Sequence, residues 1–462
     1  MCFSLSPPPR GRNATIILLG GTSHMKRKRQ GRECPYMDTI DRTVLDFDYE
    51  KLCSVTLSRN NVYACLVCGK YFQGRGPKTP AFAHAVEYDH HLFIHLETEE
   101  VYCLPENYQV EDPTLEDIRA VLNPRFDKNQ VEELDQKVVK FRTLTGKIRY
   151  QGVLGMSNLQ ATDYINVILQ ALVRIKPLRN FFLLHRMERQ DAIEYPLIAS
   201  FGEFMRKFWN PRPFKSQISP HELIQNIVKR SRRKFQILQQ GNPVEFLAWL
   251  LHALQEDLKH QDPSSSSLIG NTFQGQLEIE TFEATEKTMI RKDSKKSPFL
   301  YLSLQLPPMP LFKDSLERNM IPQVSLHSLL SRFVQEELHH NVQTGYFHKY
   351  RLHRLPYGLI LVMKRFVKSN FVWEKNVSIV HFPIRDLNMA EYVSTMTTTE
   401  GYMYDLTAVV IHDGEPNKGS YRCYVRHKAS DSWFEIQDLQ VKEAIPQLVS
   451  LSEAYILFYE RK

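Results

Sequence analysis

Gly155–Leu172 reads GMSNLQATDYINVILQAL, and the stretch changes character at Asp163. From there apolar residues recur at Tyr164, Ile165, Ile168, Leu169, Leu172 and Val173, the spacing of a helix. A carboxylate at a helix start meets free N–H groups and the positive end of the dipole, so Asp163 is expected to cap this helix.

Working outward, Asn242-Pro243-Val244-Glu245 is a second helix start, with a cap residue, a proline in the first turn and a glutamate near it. Phe246 to Leu258 then continues as a strong helix. Further on the period shifts from helix to strand. Leu300, Leu302, Leu304 and Leu306 alternate with Tyr301, Ser303 and Gln305, and Leu359–Met363 is a continuous apolar run suited to a buried strand. More strands are expected near 404–411, 421–427, 432–436 and 455–459, and Ser264–Ser267 reads as a loop. Residues 148–462 are therefore expected to form one large α+β domain, helical first and mainly antiparallel β afterwards.

The preceding residues divide into three parts. Residues 1–33 read as a disordered basic tail ending in Lys26-Arg27-Lys28-Arg29, a run suited either to nuclear import or to simple solvation. Met25 stands directly before this run as an alternative start. Residues 34–110 are compact and rich in Cys, His and Tyr; residues 111–147 read as a charged helical linker.

The compact segment carries a metal-ligand pattern. Cys65-Leu66-Val67-Cys68 is followed by His84 and His90, and two thiolates with two imidazoles suit one tetrahedral zinc. His91 is an alternative fourth ligand. Cys34, Cys53 and Cys103 read either as core thiols or as parts of a second site. Seven cysteines, an odd number clustered this way, point to a reducing compartment rather than to a disulfide frame.

Composition adds bounds. With 42% hydrophobic and 24% charged residues the chain is of ordinary globular type. The net charge of +7 is too mild and dispersed to require nucleic acid. No apolar run approaches the roughly 18 residues that span a bilayer, so no membrane partner is expected.

The quoted blocks, taken together, resemble one family. CLVCGKYFQGRG (Cys65–Gly76) with His84-Ala85-Val86-Glu87 is similar to the UBP-type zinc finger of ubiquitin-specific proteases. Gly155–Leu172, QGNPVEFLAWLLHALQEDL (Gln240–Leu258), LPYGLILVMKRF (Leu355–Phe366) and Tyr404–Tyr459 resemble, in order, the family's cysteine box, glutamine box, a lining strand and the histidine box. The resemblance implies a zinc finger followed by a papain-like domain. Relatives carry extra metal ligands near the positions of Tyr36 and Thr56, and their absence implies one zinc ion.

The resemblance also assigns the catalytic positions. The nucleophile aligns with Asp163, the general base with Ser420 and the orienting group with Gln437, while Asn158 on the oxyanion side is retained. A thiol protease needs a thiolate and an imidazole. Asp163 is a weak nucleophile towards an amide, and Ser420 holds its proton too tightly to act as a base. Cys423, His412 and His427 are not placed to substitute. The chain is thus expected to be a pseudoenzyme. Residues 262–300, where active members often carry two C-x-x-C pairs that help grip ubiquitin, contain no cysteine.

Cys34–Ser54 (CPYMDTIDRTVLDFDYEKLCS) and Trp209–Glu222 (WNPRPFKSQISPHE) resemble an inactive branch of the family associated with the spliceosomal tri-snRNP. The resemblance implies a nuclear scaffold for pre-mRNA splicing whose partners are tri-snRNP proteins. That branch has an Arg/Ser-rich region ahead of the finger, where this chain has 33 unrelated residues. The alternative function is a ubiquitin reader using the finger alone. RNA contact is expected to be indirect or weak. Its best candidate, Lys229-Arg230 with Arg232-Arg233-Lys234, reads as a solvated helix end.

Overall fold

A computed structural model describes residues 34–261, 267–284, 289–308, 322–336, 339–340, 347–369, 372–393, 401–416 and 418–462. The basic tail 1–33 and residues 262–266 of the Ser-rich loop lie outside the described residues.

The first module is a five-stranded antiparallel sheet. Its spatial order is Tyr71–Gln73, Val62–Cys65, Leu92–His95, Val101–Cys103 and Tyr108–Val110. The helix Pro80–Tyr88 joins the strand Tyr71–Gln73 to Leu92–His95. Short apolar strands suffice because one sheet face packs on Leu45, Phe47, Ile118 and Leu122. The other face packs on Ala81 and Ala85 of the helix.

The expected helical linker is a correction. Residues 111–147 are helical only at Pro113–Leu115, Glu116–Leu122 and Lys128–Glu133, then enter a hairpin of Lys140–Arg142 with Ile148–Tyr150. A capping box between Asp127 and Gln130 starts the third of these helices. The segment also belongs to both cores. Leu115, Ile118 and Leu122 pack in the first module, and Val131, Leu134 and Phe141 in the second. Asp135 is held by two charge-assisted bonds from the fully buried Arg179, at 2.6 and 2.9 Å.

The remainder has the expected two halves. The helices Asp163–Leu172, Lys176–Leu184, Pro196–Phe208, His221–Arg230 and Pro243–Gln261 come first. Asn242 caps the last of them, its side chain accepting the N–H groups of Val244 and Glu245. The large sheet follows in the order Leu302–Gln305, Gly358–Lys364, Ala454–Arg461, Met403–Asp413, Ser420–His427, Ser432–Gln437 and Gln440–Ala444. It is antiparallel except for Leu302–Gln305, which runs parallel to Gly358–Lys364. Alternation along its strands serves two buried faces. Ala408, Val410, Cys423, Val425 and Phe458 face the helices, while Val409, Ile411, Tyr424, Leu457 and Tyr459 line a second core.

A separate antiparallel sheet pairs Gly275–Ala284 with both Met289–Phe299 and Phe347–Arg354. This sheet forms without cysteines. Arg291 and Arg351 reach Glu280 across neighbouring strands, at 3.0 and 3.3 Å.

The helix Asp163–Leu172 lies under Ser420–His427, and every residue in it is buried. The sequence showed an apolar spacing, but Asn166 and Gln170 are also enclosed. Their amide nitrogens are engaged: Gln170 donates to Leu154 O at 2.7 Å and Asn166 to Asp438 at 2.9 Å. Ion pairs seat the first module on the helices. Lys51 meets Glu203 at 3.2 Å, Lys215 meets Asp46 at 2.7 Å, and Asp48 accepts the N–H of Ser219 at 2.9 Å. No helix among the described residues is long and apolar enough to cross a membrane.

Candidate functional site

The metal-ligand pattern converges in space. Cys65 ends a strand, and a tight turn brings Cys68 back, with Gly69 N–H donating to Cys65 O at 2.9 Å. Gly69 has a φ of +74°, and a Cβ there would lie 2.4 Å from Val44 O, so only glycine fits. His84 comes from the helix Pro80–Tyr88. Asp89 then ends that helix in a left-handed conformation, with φ of 60°, and sends the chain back so that His90 faces His84.

One donor atom from each of Cys65, Cys68, His84 and His90 lies within 4.8 Å of all the others. Zinc bonds of about 2.3 Å to sulfur and about 2.0 Å to nitrogen, set tetrahedrally, imply S···N edges near 3.5 Å. Cys68 Sγ is 3.4 Å from His84 Nε2, and Cys65 Sγ is 3.6 Å from His90 Nδ1. The donor set and its spacing fit zinc.

The neighbouring candidates are engaged elsewhere. His91 places Nδ1 2.7 Å from Leu104 O and Nε2 2.8 Å from Asp89, and stacks on Tyr36 at 3.8 Å. Cys53 accepts the backbone N–H groups of Val55, Thr56 and Gln73. Cys34 accepts the hydroxyl of Tyr108, the cross-strand partner of Cys103.

The second group of residues meets where the helix Asp163–Leu172 touches the large sheet. Asp163 is the first residue inside the helix, and Thr162 occupies the cap position. Its role is therefore wider than the expected cap. The carboxylate, only 5% exposed, accepts the N–H of Tyr164 at 3.0 Å, the side-chain amide of Gln240 at 3.0 and 3.1 Å, and the N–H of Tyr421 at 2.9 Å. One side chain thus ties the helix to the segment before Asn242 and to the sheet. Burial raises the Asp163 pKa, and the hydrogen bonds from Tyr421, Gln240 and Tyr164 oppose that rise.

Ser420 opens its strand half-buried, opposite Asp413, and Gln437 ends the next strand, opposite Gln440. Asn158 donates to Asp438 at 3.0 Å and accepts from Thr162, so its amide is already paired. Asp438 and Gln240 carry this junction, and sequence reasoning gave neither a role. Asp438 holds Asn158 and Asn166 through its carboxylate and Met156 N–H through its carbonyl. The visible signal was an acidic residue beside a position already singled out.

A cleft of about 290 Å³ adjoins the junction, lined by residues including Gln240, Phe366, Trp373, His412 and Tyr421. His412 is buried between the edges of Phe366 and Tyr421, and its Nδ1 has no hydrogen-bond partner among the described residues. Burial pushes its pKa down to about 4, so the ring is neutral near pH 7. The thiol of Cys423 is pushed up to about 12 by burial and points at Ile436 O. His427 is pushed down to about 4, chiefly by burial, and contacts Ser430 at 2.7 Å.

Residues 154–459 match the family described as ubiquitin carboxyl-terminal hydrolase, and residues 52–115 match the zinc finger found in ubiquitin hydrolases and other proteins. The chain belongs to the ubiquitin carboxyl-terminal hydrolase family. It is 43% identical to ubiquitin carboxyl-terminal hydrolase 39 of Homo sapiens over 456 residues, covering 94% of this chain and 81% of that one. It is 38% identical to the probable mRNA-splicing protein ubp10 of Schizosaccharomyces pombe, covering 92% and 88%. A solved structure described as an essential yeast splicing factor superposes with a TM-score of 0.76 at 27% identity, over 92% of this chain and 99% of that one.

Proposed function

We propose that this chain is a catalytically inactive, ubiquitin-protease-like scaffold that takes part in pre-mRNA splicing through the tri-snRNP, in the nucleus. The observation that carries inactivity is the bonding of Asp163. At the position of the family's nucleophile stands a buried carboxylate whose oxygens are committed to Tyr164, Gln240 and Tyr421. Its oxygens hold the fold and are not free to attack a carbonyl. Ser420, at the general-base position, has no basic group near neutral pH. Asn158 is paired with Asp438. The splicing assignment is supported by the names of the relatives.

In this reading Cys65, Cys68, His84 and His90 hold one structural zinc, which keeps the strand turn, the helix and the His90 loop together. The organisation is a zinc-finger module over 34–110, a connecting segment over 111–147 and the protease-like domain over 148–462. The partners are tri-snRNP proteins. The reader alternative rests on the presence of the finger alone.

Affinity purification of the full chain from nuclear extract, read by mass spectrometry, tests the scaffold. Tri-snRNP proteins are expected, and a pull-down lacking them refutes the reading. A fluorogenic ubiquitin substrate is expected to stay uncleaved at high protein concentration, both by the natural chain and by Asp163→Cys, which still lacks an imidazole at position 420.

A further inference from the structure

The basic run 229–234 is not an ordinary frayed helix end. The helix His221–Arg230 closes with Arg232 N–H donating to Lys229 O at 3.1 Å and Arg233 N–H donating to Val228 O at 2.9 Å. That bond pair defines a Schellman motif, whose turning residue sits in the left-handed region and is most often glycine. Here the turning residue is Arg232, with φ of 52°, and Arg233 follows with φ of 65°. Both conformations are disfavoured for any residue that carries a Cβ, as arginine does, and glycine would relieve both.

Helix electrostatics do not account for the choice. Cations favour the last turn of a helix, and Lys229 and Arg230 already supply two there. Arg230 is bound to Glu256 and Asp257, and Lys234 to Glu245. Lys229, Arg232 and Arg233 are exposed and have no ion pair among the described residues. Two strained arginines thus present free charge beside a lysine, at a turn held rigid by two backbone bonds. Backbone strain kept where a cheaper residue would serve is a mark of a functional position.

We propose that the Lys229–Arg233 turn is a direct contact for an RNA phosphodiester backbone, a sequence-independent one, with Arg232 and Arg233 as its principal donors. Guanidinium groups bind phosphate in bidentate fashion and are weakly hydrated, so they suit this task better than ammonium groups. Arginine also anchors protein interfaces, but there it works beside exposed aromatic anchors, and the aromatic neighbour of this turn, Phe235, is buried. That the anion is RNA rests on the splicing reading above, since that setting supplies RNA.

The test is equilibrium binding of the purified, zinc-loaded full chain to a fluorescent 20-nucleotide single-stranded RNA over a range of salt. Arg232→Gly/Arg233→Gly is expected to weaken binding about tenfold at 0.1 M salt. It should also reduce the slope of log affinity against log salt by about 1.4, two phosphates at about 0.7 each. The same variant is expected to keep or raise the thermal midpoint, because glycine suits both conformations; a purely structural role for the arginines would lower it. Arg232→Lys/Arg233→Lys is expected to keep most of the salt slope. Unchanged affinity and slope in the glycine variant would overturn the proposal, as would absence of binding by the natural chain. Displacement of RNA by polyglutamate as readily as by unlabelled RNA would overturn the assignment to RNA. Copurification of tri-snRNP proteins is a separate measurement, so the scaffold can stand where this contact fails.

Discussion

The finger and the papain-like junction each gather a few polar side chains at a meeting of helix and strand, yet the two arrangements leave their chemistry in opposite states. In the finger, Cys65, Cys68, His84 and His90 point their donor atoms at a common centre. At the junction, Asp163, Asn158, Gln240 and Asp438 point their polar atoms at one another and at the backbone. The first set needs an ion to be complete. The second spends its polar atoms within the protein. A site is recognised less by its residue types than by whether its valences are already filled.

The sharpest way to break this comparison is to remove the ion. Binding of a structural zinc to a small finger supplies on the order of 10 kcal/mol to its folding. Chelation, or Cys65→Ser, is therefore expected to unfold the finger while the large domain keeps its helices and sheet. Hydrogen exchange resolved by segment checks this, with metal analysis expected to give one zinc per natural chain. Loss of protection in both modules together would show that they are not separable.

The junction is expected to respond less. Asp163→Ala leaves the N–H groups of Tyr164 and Tyr421 and the amide of Gln240 without their acceptor. Buried donors stranded in this way cost about 1–3 kcal/mol each, offset in part by no longer burying a charge, for a net loss of about 3 kcal/mol. Urea unfolding checks the value. An unchanged midpoint would mean that Asp163 does not tie the two halves together.

A smaller effect concerns acid. His412 has its pKa pushed down to about 4 by burial, against about 6.5 in an unfolded chain. The unfolded chain therefore binds more protons between those values, and stability falls as pH drops from about 6.5 towards 4. The loss between pH 7 and pH 5 is about 2 kcal/mol for this residue. His412→Gln is expected to remove that share of the slope, while His427, also pushed down to about 4, keeps its own. Urea midpoints at the two pH values decide it.

The two regions were also unequally legible. The ligand pattern of the finger was plain because metal chemistry fixes residue types and short spacings, and only the choice between His90 and His91 needed coordinates. The left-handed Asp89 settles which ring turns inward. The main strands were legible from their period, and the helix after Asn242 from its cap. Less could be read at the junction, since its bonds cross long separations: Asp163 meets Tyr421, 258 residues away, and Asn158 meets Asp438, 280 away. Asp163 was expected to serve its own helix, and local reasoning could not supply its two distant partners. The linker was misread for a related reason. Charge suggested a free helix, while Leu115, Ile118, Val131 and Phe141 were spoken for by two different cores.

On the proposed reading, the bonds of Asp163 also act as a ratchet on the site. A thiol and imidazole pair there would need changes at both 163 and 420. Cysteine at 163 alone would strand the donors of Tyr421 and Gln240 and restore no activity. Histidine at 420 alone would find no thiol at 163. On the proposed reading, each single change leads to a weaker fold or an idle one, so stability as well as chemistry would stand between scaffold and protease.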